Sequence, residues 1–127
     1  MKFRAIKENH LFKKAYAKGK RAVTKALAVY TMPDYAAKRL MKSDTRSRFT
    51  NRYGITVSTK IGGAVTRSRC RRIIRAALYS IEKRGILKMG FLVVISARHD
   101  AVQKKSTELE EELITAFSRL GLIKEGV

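Results

Sequence analysis

From Lys60 to Leu78 the chain reads KIGGAVTRSRCRRIIRAAL, and five arginines fall within nine positions of a stretch that also carries isoleucine, alanine and leucine. A segment so charged can join a core only if its apolar residues share one side. At about 100° per residue, Cys70, Ile73, Ile74, Ala77, Leu78 and Ile81 fall within an arc of roughly 140°. Arg69, Arg71, Arg72 and Arg75 fan around the other side, with Arg67 near one border. The spacing predicts one amphipathic helix, buried along one face and presenting guanidinium groups along the other. Arginine in place of lysine matters, because a planar fork grips phosphate oxygens in bidentate fashion and stacks on bases. Gly62 and Gly63 lead into this helix and free backbone N–H groups at its N-terminus, where a phosphate can sit. A tight turn alone explains the two glycines equally well.

The surrounding charge points the same way. Residues 1 to 99 carry 25 Lys or Arg against four acids, whereas residues 100 to 127 carry 4 against 6. Between Asp44 and Glu82 there are nine basic residues and no acid, so local ion pairs cannot neutralise that segment. A net charge of +19 repels itself and destabilises a compact chain, a cost offset when phosphates bind and release their counterions. A polyanion is the expected partner.

The remaining sequence supplies one compact domain. A chain of 127 residues, 45% apolar and with a single proline, can bury one core but not two, so residues 1–127 are read as a single domain. No run of 18 apolar residues is present, and the basic N-terminal stretch lacks the apolar segment of a secretory signal, so a cytoplasmic protein without membrane contact is expected. Lone Cys70 fits a reducing compartment, and with only His10 and His99 there is no spacing suited to a metal site.

Along the chain, NHLFKKAYAKG predicts a short helix with Asn9 as N-cap and Gly19 as its stop. AVTKALAVYTM, ending at Pro33, predicts a strand. Residues 34–48 show weak periodicity and strong charge and are read as a mobile connection. RFTNRYGITVST predicts a second strand, preceded by room for a further short one, and GFLVVISA a buried third. The last helix, from about residue 103 to 120, sets Leu109, Leu113, Ala116, Phe117 and Leu120 on one face, with Thr107 and Glu110 at capping-box spacing. The expected order is α, β, β, α, β, α, an α+β fold.

These residues resemble the bacterial ribonuclease P protein subunit. In that family a lysine and a glycine lead through Ala-Val to an Arg-Asn-Arg motif and further basic residues. Lys60, Gly62, Ala64, Val65, Arg67, Arg69, Arg71, Arg72 and Arg75 fit this pattern, with Ser68 where asparagine is usual and Gly63 where a polar residue is common. LFKKAYAKGKR, LAVYT, YGITVSTK and FLVVISAR are similar to the family's opening helix and strands, so the likeness spans about residues 5 to 121.

The resemblance implies a single-domain α/β sandwich, ribosomal-protein-S5-domain-2-like, whose mixed sheet contains a left-handed βαβ crossover, against the usual rule. It further implies the protein part of a ribonucleoprotein that removes the 5′ leader from precursor tRNA, with catalysis carried by the RNA. Magnesium would be held mainly by RNA partner and substrate, and no obligate protein partner is expected. Lys60, Arg67, Ser68, Arg69, Arg71, Arg72 and Arg75 would contact the catalytic RNA. Phe12, Tyr16 and Tyr30, with Ser58, Thr59 and Arg98 at nearby strand ends, would line a cleft for the single-stranded leader. Read alone, Phe12 and Tyr16 at i and i+4 belong more often to a core than to a platform, and it is the resemblance that implies the platform. The residues themselves offer no catalytic set, since two distant histidines and scattered acids do not form nucleophile, base and orienter. A ribosome-associated RNA-binding protein would share the size and basicity. A helix-turn-helix protein would need a partner helix, not a strand, before the arginine helix.

Overall fold

The computed structural model describes residues 5–35 and 51–125. Helix α1 (Asn9–Lys18) leads into strands β1 (Lys20–Val23) and β2 (Leu27–Pro33), followed by β3 (Arg52–Thr56), helix α2 (Ala64–Lys83), β4 (Phe91–Ala97), a 3-10 helix (His99–Gln103) and helix α3 (Ser106–Arg119). The strands form one mixed sheet in the order β1-β2-β4-β3. β4 runs antiparallel to β2 and parallel to β3, so β3, α2 and β4 form a crossover between adjacent parallel strands.

Strand alternation sorts the core into two unequal parts. Leu27, Val29, Tyr53, Val93 and Ile95 point to the side covered by α2 and α3, where they meet Ile74, Leu78, Ile81, Leu109, Leu113 and Phe117. Met32, Leu92 and Val94 point the other way and meet Ile6 and Ala15, with Leu11, Phe12 and Tyr30 partly buried around them. Among the described residues, the sheet is therefore closed on one face and covered by a single short helix on the other.

Two small features fix α1 against that face. Gly19 ends the helix in extended backbone, and its Cα comes so close to the chain that an added Cβ would meet the Thr31 carbonyl oxygen at 2.8 Å. A Cβ on Gly54 would overlap the Phe12 ring, so the glycine is the seat on which Phe12 rests.

Four local expectations are corrected. The stretch read as one strand is a hairpin, β1 and β2, because Thr24 makes the turn: its N–H donates to the Leu27 carbonyl (2.8 Å), and its hydroxyl accepts from the Leu27 N–H (3.2 Å). Asn9 is the first residue of α1, not its cap; Glu8 holds that position without a side-chain bond. The cap of α3 lies two residues before the expected pair, with the Glu108 carboxylate accepting from the Lys105 N–H (3.1 Å). The second strand is shorter than read, and most of the charged stretch read as a mobile connection, from residue 36 on, lies outside the described residues.

A buried bidentate pair joins the ends of β2 and β3. Arg52 donates to both Asp34 carboxylate oxygens (2.7 and 2.9 Å) and to Glu8 (3.2 Å), and Asp34 is 1% exposed. Beside it, Tyr53 donates its hydroxyl to Glu82 of α2, and Asn51 donates to the Lys88 carbonyl (3.0 Å) and accepts from the Phe91 N–H (2.9 Å).

Candidate nucleic-acid interface

Helix α2 buries Cys70, Ile74, Ala77, Leu78 and Ile81, with Ile73 packed partly against the same core. Its arginines consequently face outward. Among the described residues no carboxylate lies within ion-pair distance of Arg67, Arg69, Arg71, Arg72 or Arg75. Arg67 and Arg71, and again Arg71 and Arg75, are four apart, and like charges at that spacing each cost a few tenths of a kcal/mol, about 0.2–0.5. Arg69 donates to the Val102 carbonyl of the 3-10 helix (2.9 Å). Arg67 keeps a buried Nε with no hydrogen-bond partner among the described residues, a donor that an incoming oxyanion would satisfy.

The N-terminal end of α2 adds to this surplus. Gly63 is the N-cap with no side-chain bond, and the first turn holds no acid, so the positive end of the helix dipole is uncompensated. Neither Gly62 nor Gly63 has a positive φ, and a Cβ on Gly63 would meet nothing, so no backbone constraint demands that second glycine. Val65 is 86% exposed beside it. The end of the helix is thus smooth, uncapped and open to close approach. Lys60 and Ser68 are exposed on the same segment, and the Ser58 hydroxyl accepts from the Lys60 N–H (3.2 Å) to shape the turn before it.

On the other face of the sheet, α1 and the strands frame a polar and aromatic recess. Tyr16 is 41% exposed and meets the Tyr30 ring edge-on, with ring centres 4.8 Å apart. Its hydroxyl lies 3.0 Å from that of Thr56 and 3.1 Å from that of Ser96, which are 2.7 Å from each other. Arg21, paired with Tyr30 across β1 and β2, extends from the same face and is exposed. Phe12 sits deeper, over Gly54.

The structure therefore brings together Phe12, Tyr16 and Tyr30, as the sequence reading expects, and adds Thr56, Ser96 and Arg21, which that reading lacks. Ser58 and Thr59 are exposed just beyond β3. Arg98 turns elsewhere: its guanidinium donates to the Thr24 carbonyl (2.7 Å) and lines a groove beside α3. Strand register carries the missing signal. Thr56 and Ser96 are cross-strand partners of β3 and β4, forty residues apart, and only pairing puts them under Tyr16.

The fold is an α+β sandwich with a basic helix on one side of the sheet and an open aromatic recess on the other, and comparison with known proteins places it. Residues 1–121 match the family model described as Ribonuclease P. The chain is 32% identical over 123 residues to the ribonuclease P protein component of Clostridium acetobutylicum, covering 97% of this chain and 93% of that one. It is 31% identical over 117 residues to the corresponding protein of Bacillus cereus, covering 92% and 90%. The solved ribonuclease P protein of Staphylococcus aureus superposes with a TM-score of 0.74 at 24% identity, covering 97% of this chain and all of that one. That of Thermotoga maritima gives 0.68 at 18% identity, covering 88% and 93%. The chain belongs to the ribonuclease P protein family, and so to tRNA processing.

Proposed function

We propose that this protein is the RNA-binding subunit of a cytoplasmic ribonucleoprotein in which an RNA cleaves precursor tRNA, and that it assists by holding both that RNA and the substrate's 5′ leader. The observation that carries the reading is the α2 surface, where five arginines project with no carboxylate within ion-pair distance among the described residues. Packed like charge without internal neutralisation is a standing cost, and an RNA backbone removes it by exchanging condensed counterions for guanidinium groups. Arg71, Arg72 and Arg75, which make no side-chain bond to the described residues, are the phosphate-binding set. Arg67 offers its buried Nε, and Arg69 steadies the 3-10 helix beside the interface.

The recess suits a single strand. Base stacking on an aromatic ring contributes roughly 1–3 kcal/mol per base and does not depend on sequence. Tyr16 and Tyr30 form an L-shaped aromatic edge, held because the Tyr16 hydroxyl is fixed by Thr56 and Ser96. Arg21 gives the passing backbone a charge to follow.

Magnesium does not fit the side chains described here: no three His, Cys, Asp or Glu come together among the described residues. The ion would be held by RNA and substrate.

The test is cleavage of precursor tRNA by a bacterial ribonuclease P RNA at limiting magnesium, with and without the protein. Wild type should restore correct 5′ processing, and a folded Arg71→Ala, Arg72→Ala, Arg75→Ala variant should not. Equal stimulation by both would sink the α2 assignment. For the recess, Tyr16→Ala with Tyr30→Ala should weaken binding of leader-bearing substrate and leave leaderless tRNA unaffected. Equal loss on both would count against leader binding there.

A further inference from the structure

Beyond the α2 surface and the recess, a third feature is built for anions. Between the β1–β2 turn and α3 lies a groove of about 490 Å³ lined by Val23, Thr24, Lys25, Arg98, Lys104, Glu112, Thr115 and Arg119. Two of its guanidinium groups are anchored to consecutive carbonyls of the same turn: Arg119 Nη1 donates to Val23 (3.2 Å), and Arg98 Nη1 donates to Thr24 (2.7 Å). Each spends one donor on the hairpin and keeps the others of its fork, so the two are held in place without being neutralised.

The acids near the groove are occupied or weakly engaged. Glu112 accepts from the Ala26 N–H (2.9 Å), which ties its carboxylate to the hairpin backbone. Asp100 meets Lys25 at 3.9 Å and Glu108 meets Lys104 at 3.6 Å, both as exposed pairs of the kind that contribute little and exchange readily for another anion. Four cations thus line the groove against one carboxylate.

Its position decides the partner. The 3-10 helix follows Arg98 and ends just before Lys104, and its Val102 carbonyl holds Arg69 of α2. The groove and the arginine helix are consequently two stations on one basic surface joined by that short helix. We propose that the groove is a second RNA-binding site, in which Arg98 and Arg119 hold a phosphodiester backbone and Lys25 and Lys104 flank it. A backbone crossing α2 has a continuation here, and pre-positioned forks bind phosphate with little loss of side-chain freedom.

The site rests on the reading of the chain as an RNA-binding protein, and its test separates the two. Affinity for a bacterial ribonuclease P RNA and for precursor tRNA would be measured across a salt titration. The proteins compared are wild type, Arg98→Gln with Arg119→Gln, Lys25→Glu with Lys104→Glu, and the α2 triple variant. Both groove variants should lose roughly tenfold or more in affinity, and removing two arginine contacts should lower the salt slope by about two. Lys25 and Lys104 make no bond to the backbone through their side chains, so the lysine pair still decides the matter if the arginine pair fails to fold. Loss on the ribonuclease P RNA assigns the groove to that RNA, and loss confined to precursor tRNA assigns it to the substrate; either supports the site. If the α2 variant loses affinity while the groove variants match wild type in affinity and slope, the groove proposal falls alone. If wild type binds neither RNA, both readings fall.

Discussion

Helices α2 and α3 lie side by side under the same sheet, and each buries one face in the same core. Their outward faces differ in sign and, more tellingly, in what the charges do. Three of the four acids of α3 are engaged inside the protein: Glu108 caps its own helix, Glu110 accepts from Ser80 (2.8 Å) and meets Arg84, and Glu112 latches the hairpin through Ala26. Even the one acid of α2, Glu82, receives the Tyr53 hydroxyl. The arginines of α2, except for Arg69, bond to nothing among the described residues. Negative charge here holds the fold, and positive charge is left for something outside it.

That contrast can be broken at either helix. The largest effect belongs to α2: Arg71→Ala, Arg72→Ala, Arg75→Ala should cost on the order of 100-fold in RNA affinity at low salt and flatten the salt dependence. The same variant should fold at least as stably as wild type, since it relieves like-charge neighbours and none of the three side chains has a partner to lose among the described residues. Denaturant titration beside the binding curve reads both quantities, and a stability loss above about 1 kcal/mol would make these arginines structural after all.

Next comes the Tyr53 and Glu82 pair. Tyr53→Phe should destabilise by about 1–3 kcal/mol, because a half-buried carboxylate loses its donor. Burial first, and then the bond to Glu82, push the Tyr53 hydroxyl well above its ordinary value. The neutral phenol is therefore favoured by the fold, and its contribution is complete below about pH 10 and fades as pH rises further, when the unfolded chain ionises first. The gap in stability between wild type and Tyr53→Phe should narrow in alkaline denaturant titrations. A gap constant through that range would deny the linkage.

Glu112→Ala should cost about 1 kcal/mol by freeing the Ala26 N–H, with RNA affinity unchanged or slightly raised. Weakened RNA binding in that variant would overturn the division of labour between the two signs. Glu111→Gln is the control, since that exposed side chain makes no bond among the described residues: stability should change by less than about 0.5 kcal/mol.

The sequence displays α2 clearly because the helical period and the arginine run coincide within a few turns, and each position reports its own face. The hairpin is hidden for the opposite reason. Thr24, Lys25 and Ala26 contain no glycine, asparagine or proline, and the turn depends on one hydroxyl whose partner is three residues on. Thr56 and Ser96 are ordinary strand residues until register sets them together. Asp34 falls in a stretch that reads as connection, and its value as a buried anchor requires Arg52, eighteen residues later. Contacts carried by long-range pairing have no local pattern to announce them.

The Asp34 and Arg52 clasp bears on how the sheet is closed. β2 ends and β3 begins on either side of the first residues of β4, roughly two strand spacings, about 10 Å, apart. The ion pair spans that gap and ties the end of β2 to the start of β3. The clasp thus closes the end of the sheet opposite the β1–β2 turn.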